Sequence, residues 1–124
     1  MRIQPSGANL LDTVRTLLRD DILPHVPRDK TYTLLMSLNA LGIAMRQLDN
    51  GDDAENTEYE ALRVLLDEEG SADELNRMFA TLVRSGAADA DATLQGLLWQ
   101  QTLQRVIESA PRYLRQEGLL GPDV

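Results

Sequence analysis

The stretch Asp29–Asn50, DKTYTLLMSLNALGIAMRQLDN, decides how this chain folds. Leu34, Leu38, Leu41, Met45 and Leu48 recur every three or four residues, which is the period of one helix face. Thr33, Ser37, Ala40 and Ala44 make a neighbouring stripe of small residues. Tyr32, Leu35, Met36 and Ile43 make a third, apolar one. A helix apolar on several sides is expected to have helices on several sides. The spacing therefore predicts a central helix, capped by Asp29 and closed by Gly51.

Working outward, the punctuation predicts four more helices. Gly7–Leu23 follows Ser6 as N-cap, with Leu10, Leu11, Val14, Leu17, Leu18 and Ile22 on one face. Pro24 and Pro27 end it, and Leu23–Pro27 reads as a stiff extended connector. Glu58–Glu69 follows a capping-box pattern at Thr57 and Glu60, and Gly70 stops it. Ala72–Ser85 follows a second box at Ser71 and Glu74, with Leu75, Met78, Phe79 and Leu82 as its inner face and Gly86 as its stop. Asp91–Ala110 carries Leu94, Leu97 and Leu98 on one side and Trp99, Leu103, Val106 and Ile107 on another. Pro111 ends it and starts a last turn, and the tail 118–124 should be loose. Residues 51–56 read as a short structureless link. With 124 residues and 43% apolar composition, the expectation is one all-α domain over 1–124, a bundle of about five helices with 29–50 central.

Charge excludes several functions. The net charge is −8, and it belongs to one segment. Residues 49–74 hold eleven acids and one base, Arg63, whereas residues 1–48 are slightly basic. A phosphate backbone needs a basic stripe, so no nucleic acid partner is expected. The acidic segment reads either as a solvated face or as a docking surface for a basic partner. The chain has no Cys and one His, so disulfides, thiol chemistry and sites needing several imidazoles are absent. No apolar run is long enough to span a membrane. The opening residues lack a secretory pattern, and a cytoplasmic location is the default.

Few residues carry chemistry. His25 lies near Asp20 and Asp21, and Asp21 falls within the apolar stripe of the first helix, so an acid–base pair is one reading and a frayed, wetted turn the other. Asp49–Asp53 is rich in oxygen ligands but lacks the calcium-loop pattern. No glycine-rich phosphate loop or nucleophile elbow occurs, so no metal, cofactor or catalytic site is expected and the chain reads as a non-enzyme. Tyr32, Asn39 and Arg46 recur at intervals of seven on the central helix. They read as a satisfied core network, a homodimer seam, or the lining of a pocket for an acyl or phosphorylated metabolite. Arg112 and Tyr113, beside Arg115, form a small basic–aromatic cluster, packed over the last helix end or open to a partner.

Several short strings carry a resemblance: Gln4-Pro5-Ser6-Gly7-Ala8-Asn9-Leu10-Leu11, Leu23-Pro24, Leu38-Asn39-Ala40-Leu41-Gly42-Ile43-Ala44, Leu75-Asn76 and Pro111-Arg112-Tyr113-Leu114. Together they are similar to a bacterial family of uncharacterised small helical domains, encoded beside or fused to aminoglycoside-phosphotransferase-like kinases and acyl-CoA dehydrogenases. The family pattern places Asn before the closing Pro, where this chain has Ala110. The resemblance brings no catalytic residues. It implies an accessory role beside a kinase-like or acyl-CoA enzyme.

Overall fold

The computed structural model describes residues 4–121. These form six α-helices and no strand: α1 Gly7–Leu17, α2 Arg28–Asn50, α3 Asp53–Leu66, α4 Ala72–Arg84, α5 Ala92–Ser109 and α6 Pro111–Gln116. The all-α class is as expected. The helices gather into two compact units, Met1–Gly51 and Asp52–Val124.

In the first unit, α1 packs on α2. Ser6 starts α1 through a reciprocal box: its hydroxyl accepts from the Asn9 N–H at 3.2 Å, and the Asn9 side-chain oxygen accepts from the Ser6 N–H at 3.1 Å. After Leu17 the helix widens into a π turn, Leu18–Ile22, then tightens into a 3-10 turn, Leu23–His25, around Pro24. The extended connector expected over 23–27 therefore begins only at Val26. Pro27, not Asp29, precedes α2; Asp29 lies in its first turn, where a carboxylate suits the helix dipole. Gly51 closes it at φ 66°, a conformation that glycine adopts without strain.

Two expectations about this unit are corrected. The inward face of α1 holds Ala8, Leu11 and Arg15, continued by Leu18 in the π turn, while Leu10, Val14 and Leu17 on α1 and Ile22 in the turn are exposed. The stripe Leu34, Leu38, Leu41 and Met45 does turn inward on α2, but only Leu38 and Gly42 are buried. Tyr32, Leu35, Met36 and Leu48 are exposed. The helix has one α-helical neighbour in its unit, so its second and third stripes are wet rather than enclosed.

The second unit holds the larger core. Leu62 and Leu75 are fully buried, joined by Phe79, Ala88, Leu94 and Leu97, with Tyr59, Leu65, Leu66 and Leu82 packed around them. Burying one such large apolar side chain stabilises by about 1.5–3 kcal/mol. Ser71 and Glu74 form the expected box: Glu74 accepts from the Ser71 N–H at 2.8 Å and donates its own N–H to the Ser71 hydroxyl at 3.3 Å. Gly86, at φ 84°, follows α4. Asp91 caps α5 by accepting from the Thr93 and Leu94 N–H groups.

The start of α3 differs from expectation. It begins at Asp53, so Thr57 lies inside the helix and bonds the Asp53 carbonyl at 2.8 Å. Acids in the first turn, Asp53 and Glu55, favour that earlier start through the dipole. The helix ends at Leu66, because Asp67 turns left-handed at φ 53° before Gly70 is reached. The Tyr59 hydroxyl then donates to the Gly70 carbonyl at 3.0 Å and ties the loop back to α3. Ala110 separates α5 from α6 and supplies no side-chain cap. After α6 the Leu119 N–H donates to the Leu114 carbonyl at 2.9 Å; the tail beyond 121 lies outside the described residues.

Candidate functional site

The α3–α5 face of the second unit encloses a groove of about 420 Å³. Its floor on α3 is built from Ala54, Thr57 and Ala61, small residues that recur at helical spacing. Leu97, Leu103 and Ile107 line it from α5, with the amides of Gln100, Gln101 and Gln104 among them. Gln101 is buried, and its amide nitrogen reaches the Asn76 side-chain oxygen only at 3.5 Å. Gln104 donates to Glu108 at 3.1 Å. Asp53 and Glu58 stand at the groove's acidic margin. Glu58 faces Arg105 at 3.6 Å, and that pair borders an adjoining cavity of about 260 Å³ lined also by Glu55, Tyr59 and Asn76.

The groove is apolar with a few amides and carries no nucleophile–base pair. The clearest perturbed ionisations lie outside it. Arg63 sits over the Tyr59 ring at 5.8 Å and pairs with Glu69 and Glu60. Its hydrogen bond to Glu69, then the charges of Glu60 and Glu69, hold the guanidinium protonated well above its ordinary range. The same bond lowers the Glu69 pKa. Glu74 is lowered by the Ser71 N–H and then by its hydroxyl, and Asp20 by Arg19. All are structural contacts at caps and exposed ion pairs. Among the described residues no group of three or more His, Asp or Glu could hold a metal ion. No described helix is long and apolar enough to cross a membrane.

The residues singled out by sequence do not converge. Tyr32 and Asn39 are exposed, and Arg46 is half-buried beside Gly42. A rise of 1.5 Å per residue sets Tyr32 and Arg46 roughly 20 Å apart along the axis, too far for one small ligand. Arg112 and Tyr113 are exposed on α6, and Leu114 between them and Arg115 is the buried anchor. Asp21 is exposed in the π turn rather than held in an apolar stripe, and His25 is exposed too.

Sequence reasoning missed the groove. Its α3 wall begins in the segment read as structureless, so Ala54, Thr57 and Ala61 had no helix to line up on. The available signal was the amide run Gln100, Gln101, Gln104 amid Leu97, Leu103 and Ile107.

The family model of a domain of unknown function, DUF6285, matches residues 24–113. The chain belongs to this family. The match takes in α2 to α5 and reaches Tyr113, so the DUF6285 region includes the whole groove. No curated protein and no solved structure matches the chain.

Proposed function

We propose that this DUF6285 chain is a non-catalytic accessory module that docks a basic, amphipathic helix of a partner protein in the α3–α5 groove. The observation that carries this is the groove itself: small residues Ala54, Thr57 and Ala61 opposite Leu97, Leu103 and Ile107. Such a trough accepts apolar side chains at helical spacing. Asp53 and Glu58 at its margin, with Asp52 and Glu55 nearby on the acidic segment, favour Lys or Arg flanking those anchors. The resemblance in the sequence implies a phosphotransferase-like kinase or an acyl-CoA dehydrogenase in the cytoplasm as the partner to try first.

The test is calorimetry with each purified enzyme and with Ala61→Glu, which fills the trough with a charge. The reading expects one of them to bind, to weaken as salt rises, and to lose at least tenfold with Ala61→Glu while the helical circular dichroism is unchanged. Equal affinity for wild type and Ala61→Glu, or no binding to either enzyme, contradicts it.

Self-association is a second reading, favoured by the exposed Leu10, Val14 and Leu17 on α1 and Tyr32, Leu35 and Met36 on α2. Sedimentation of the chain as a dimer, made monomeric by Arg46→Glu or Met36→Arg, supports it; a monomeric wild type removes it.

A further inference from the structure

A second cleft opens on the adjoining face of α5, between that helix and α4, with a volume of about 350 Å³. Phe79, Ala80 and Val83 of α4 and Leu98 of α5 give it an apolar lining, in which Ala80 is the small residue that leaves room. Two polar groups interrupt this lining. Gln101 is 4% exposed and is the one buried polar residue among those described. Its amide nitrogen reaches Asn76 only at 3.5 Å, and among the described residues its side-chain oxygen accepts no hydrogen bond. That oxygen is not sealed off, so it faces cavity space. The second group is Arg84, exposed at one end of the cleft. On α3 to α5, Arg63, Arg77 and Arg105 each pair with a carboxylate, whereas Arg84 pairs with none among the described residues. The cleft also has a direction. Arg105 borders it near Asn76, facing Glu58 at 3.6 Å, with Glu55 and Glu108 around the adjoining cavity. Arg84 lies about two turns further along α4, roughly 12 Å from Asn76. One end is thus acidic and the other cationic.

We infer that the α4–α5 cleft binds a short-chain carboxylic acid that carries a hydroxyl group, with the carboxylate on Arg84, the chain along Ala80, Val83 and Leu98, and the hydroxyl on the Gln101 oxygen. Two parallel guanidinium N–H groups match the two oxygens of a carboxylate. A single unpaired arginine balances one negative charge, so a carboxylate fits better than a doubly charged phosphate. Glu58 and its acidic neighbours repel an anion from the Arg105 end, which fixes the ligand's orientation. The chain takes the exposed Leu98 side chain out of water. A buried amide oxygen left without a donor is costly, and a ligand O–H satisfies it. The volume suits a small molecule, whose sites begin at roughly 300 Å³. The cleft shares only Gln101 with the α3–α5 groove, so it is a separate site that stands or falls apart from protein docking.

The test is an NMR titration of the full chain with ω-hydroxyhexanoate, hexanoate and hexanol, each at the same pH and ionic strength. The inference expects saturable shifts at Ala80, Val83 and Leu98 with both acids, tightest for the hydroxy acid, and no saturation with hexanol. Arg84→Gln removes the charge from an exposed position and should weaken both acids about tenfold. Gln101→Leu keeps the bulk of the side chain and should erase the advantage of the hydroxy acid while hexanoate still binds. No saturation with either acid overturns the inference. So does hexanol binding as tightly as hexanoate, an affinity unchanged in Arg84→Gln, or shifts centred on Ala54, Ala61 and Ile107 instead.

Discussion

Met1–Gly51 and Asp52–Val124 use their apolar residues in opposite ways. The second unit turns Leu62, Leu75, Phe79, Leu94 and Leu97 into one closed core. The first is as apolar in composition, yet on α2 it buries only Leu38 and Gly42, and it exposes Leu10, Val14, Leu17, Tyr32 and Met36. The difference is one of neighbours. In its unit α2 has one long helix against it, so one stripe is covered. In Asp52–Val124, α3 is packed by both α4 and α5. Apolar content shows what a helix could bury, whereas the number of surrounding helices sets what it does bury.

The contrast can be broken by truncating one leucine in each unit. Leu75→Ala leaves a cavity in a fully enclosed site and should cost about 3–4 kcal/mol in urea unfolding. Leu38→Ala sits where surroundings can close in and water can reach, and should cost about 1–2 kcal/mol. An equal or larger loss for Leu38→Ala would mean that the two cores are alike. Ser71→Ala sharpens the picture at the start of α4, where losing the hydroxyl acceptor should cost about 1 kcal/mol. The same loss is expected for Ser6→Ala on α1 only if that helix contributes as much to the folded state as α4 does.

Acid gives the smallest effect. Glu69, Glu74 and Asp20 have lowered pKa values in the folded chain. Their stabilisation is complete above the unfolded carboxylate range of about 4, and it is lost as pH falls through their lowered values. The thermal midpoint should therefore drop on the acid side of about pH 4. Glu74→Gln still accepts from the Ser71 N–H and should make that drop shallower; a midpoint that is flat down to strong acid would contradict the capping role.

Much of the fold was legible because local chemistry dictated it. Ser6, Ser71 and Asp91 each satisfy N–H groups that a helix start leaves open, so those starts could be read without knowing any neighbour. Leu75 and Phe79 share one sharply amphipathic face and are buried as that face implies. Three things were not legible. The start of α3 was hidden because Thr57 and Glu60 imitate a box that an earlier helix start overrides. Its end depended on Asp67 adopting a left-handed turn, which few residues other than glycine take. The enclosure expected for α2 failed because stripes specify faces and not how many partners cover them. The groove shared the fate of α3.

Hydrogen exchange across the full chain tests the unequal cores most directly. The account predicts that the slowest amides lie in α3, α4 and α5 around Leu62, Leu75, Phe79 and Leu94, with α2 exchanging sooner over most of its length. Slowest exchange in α2, or equal protection in both units, would contradict it.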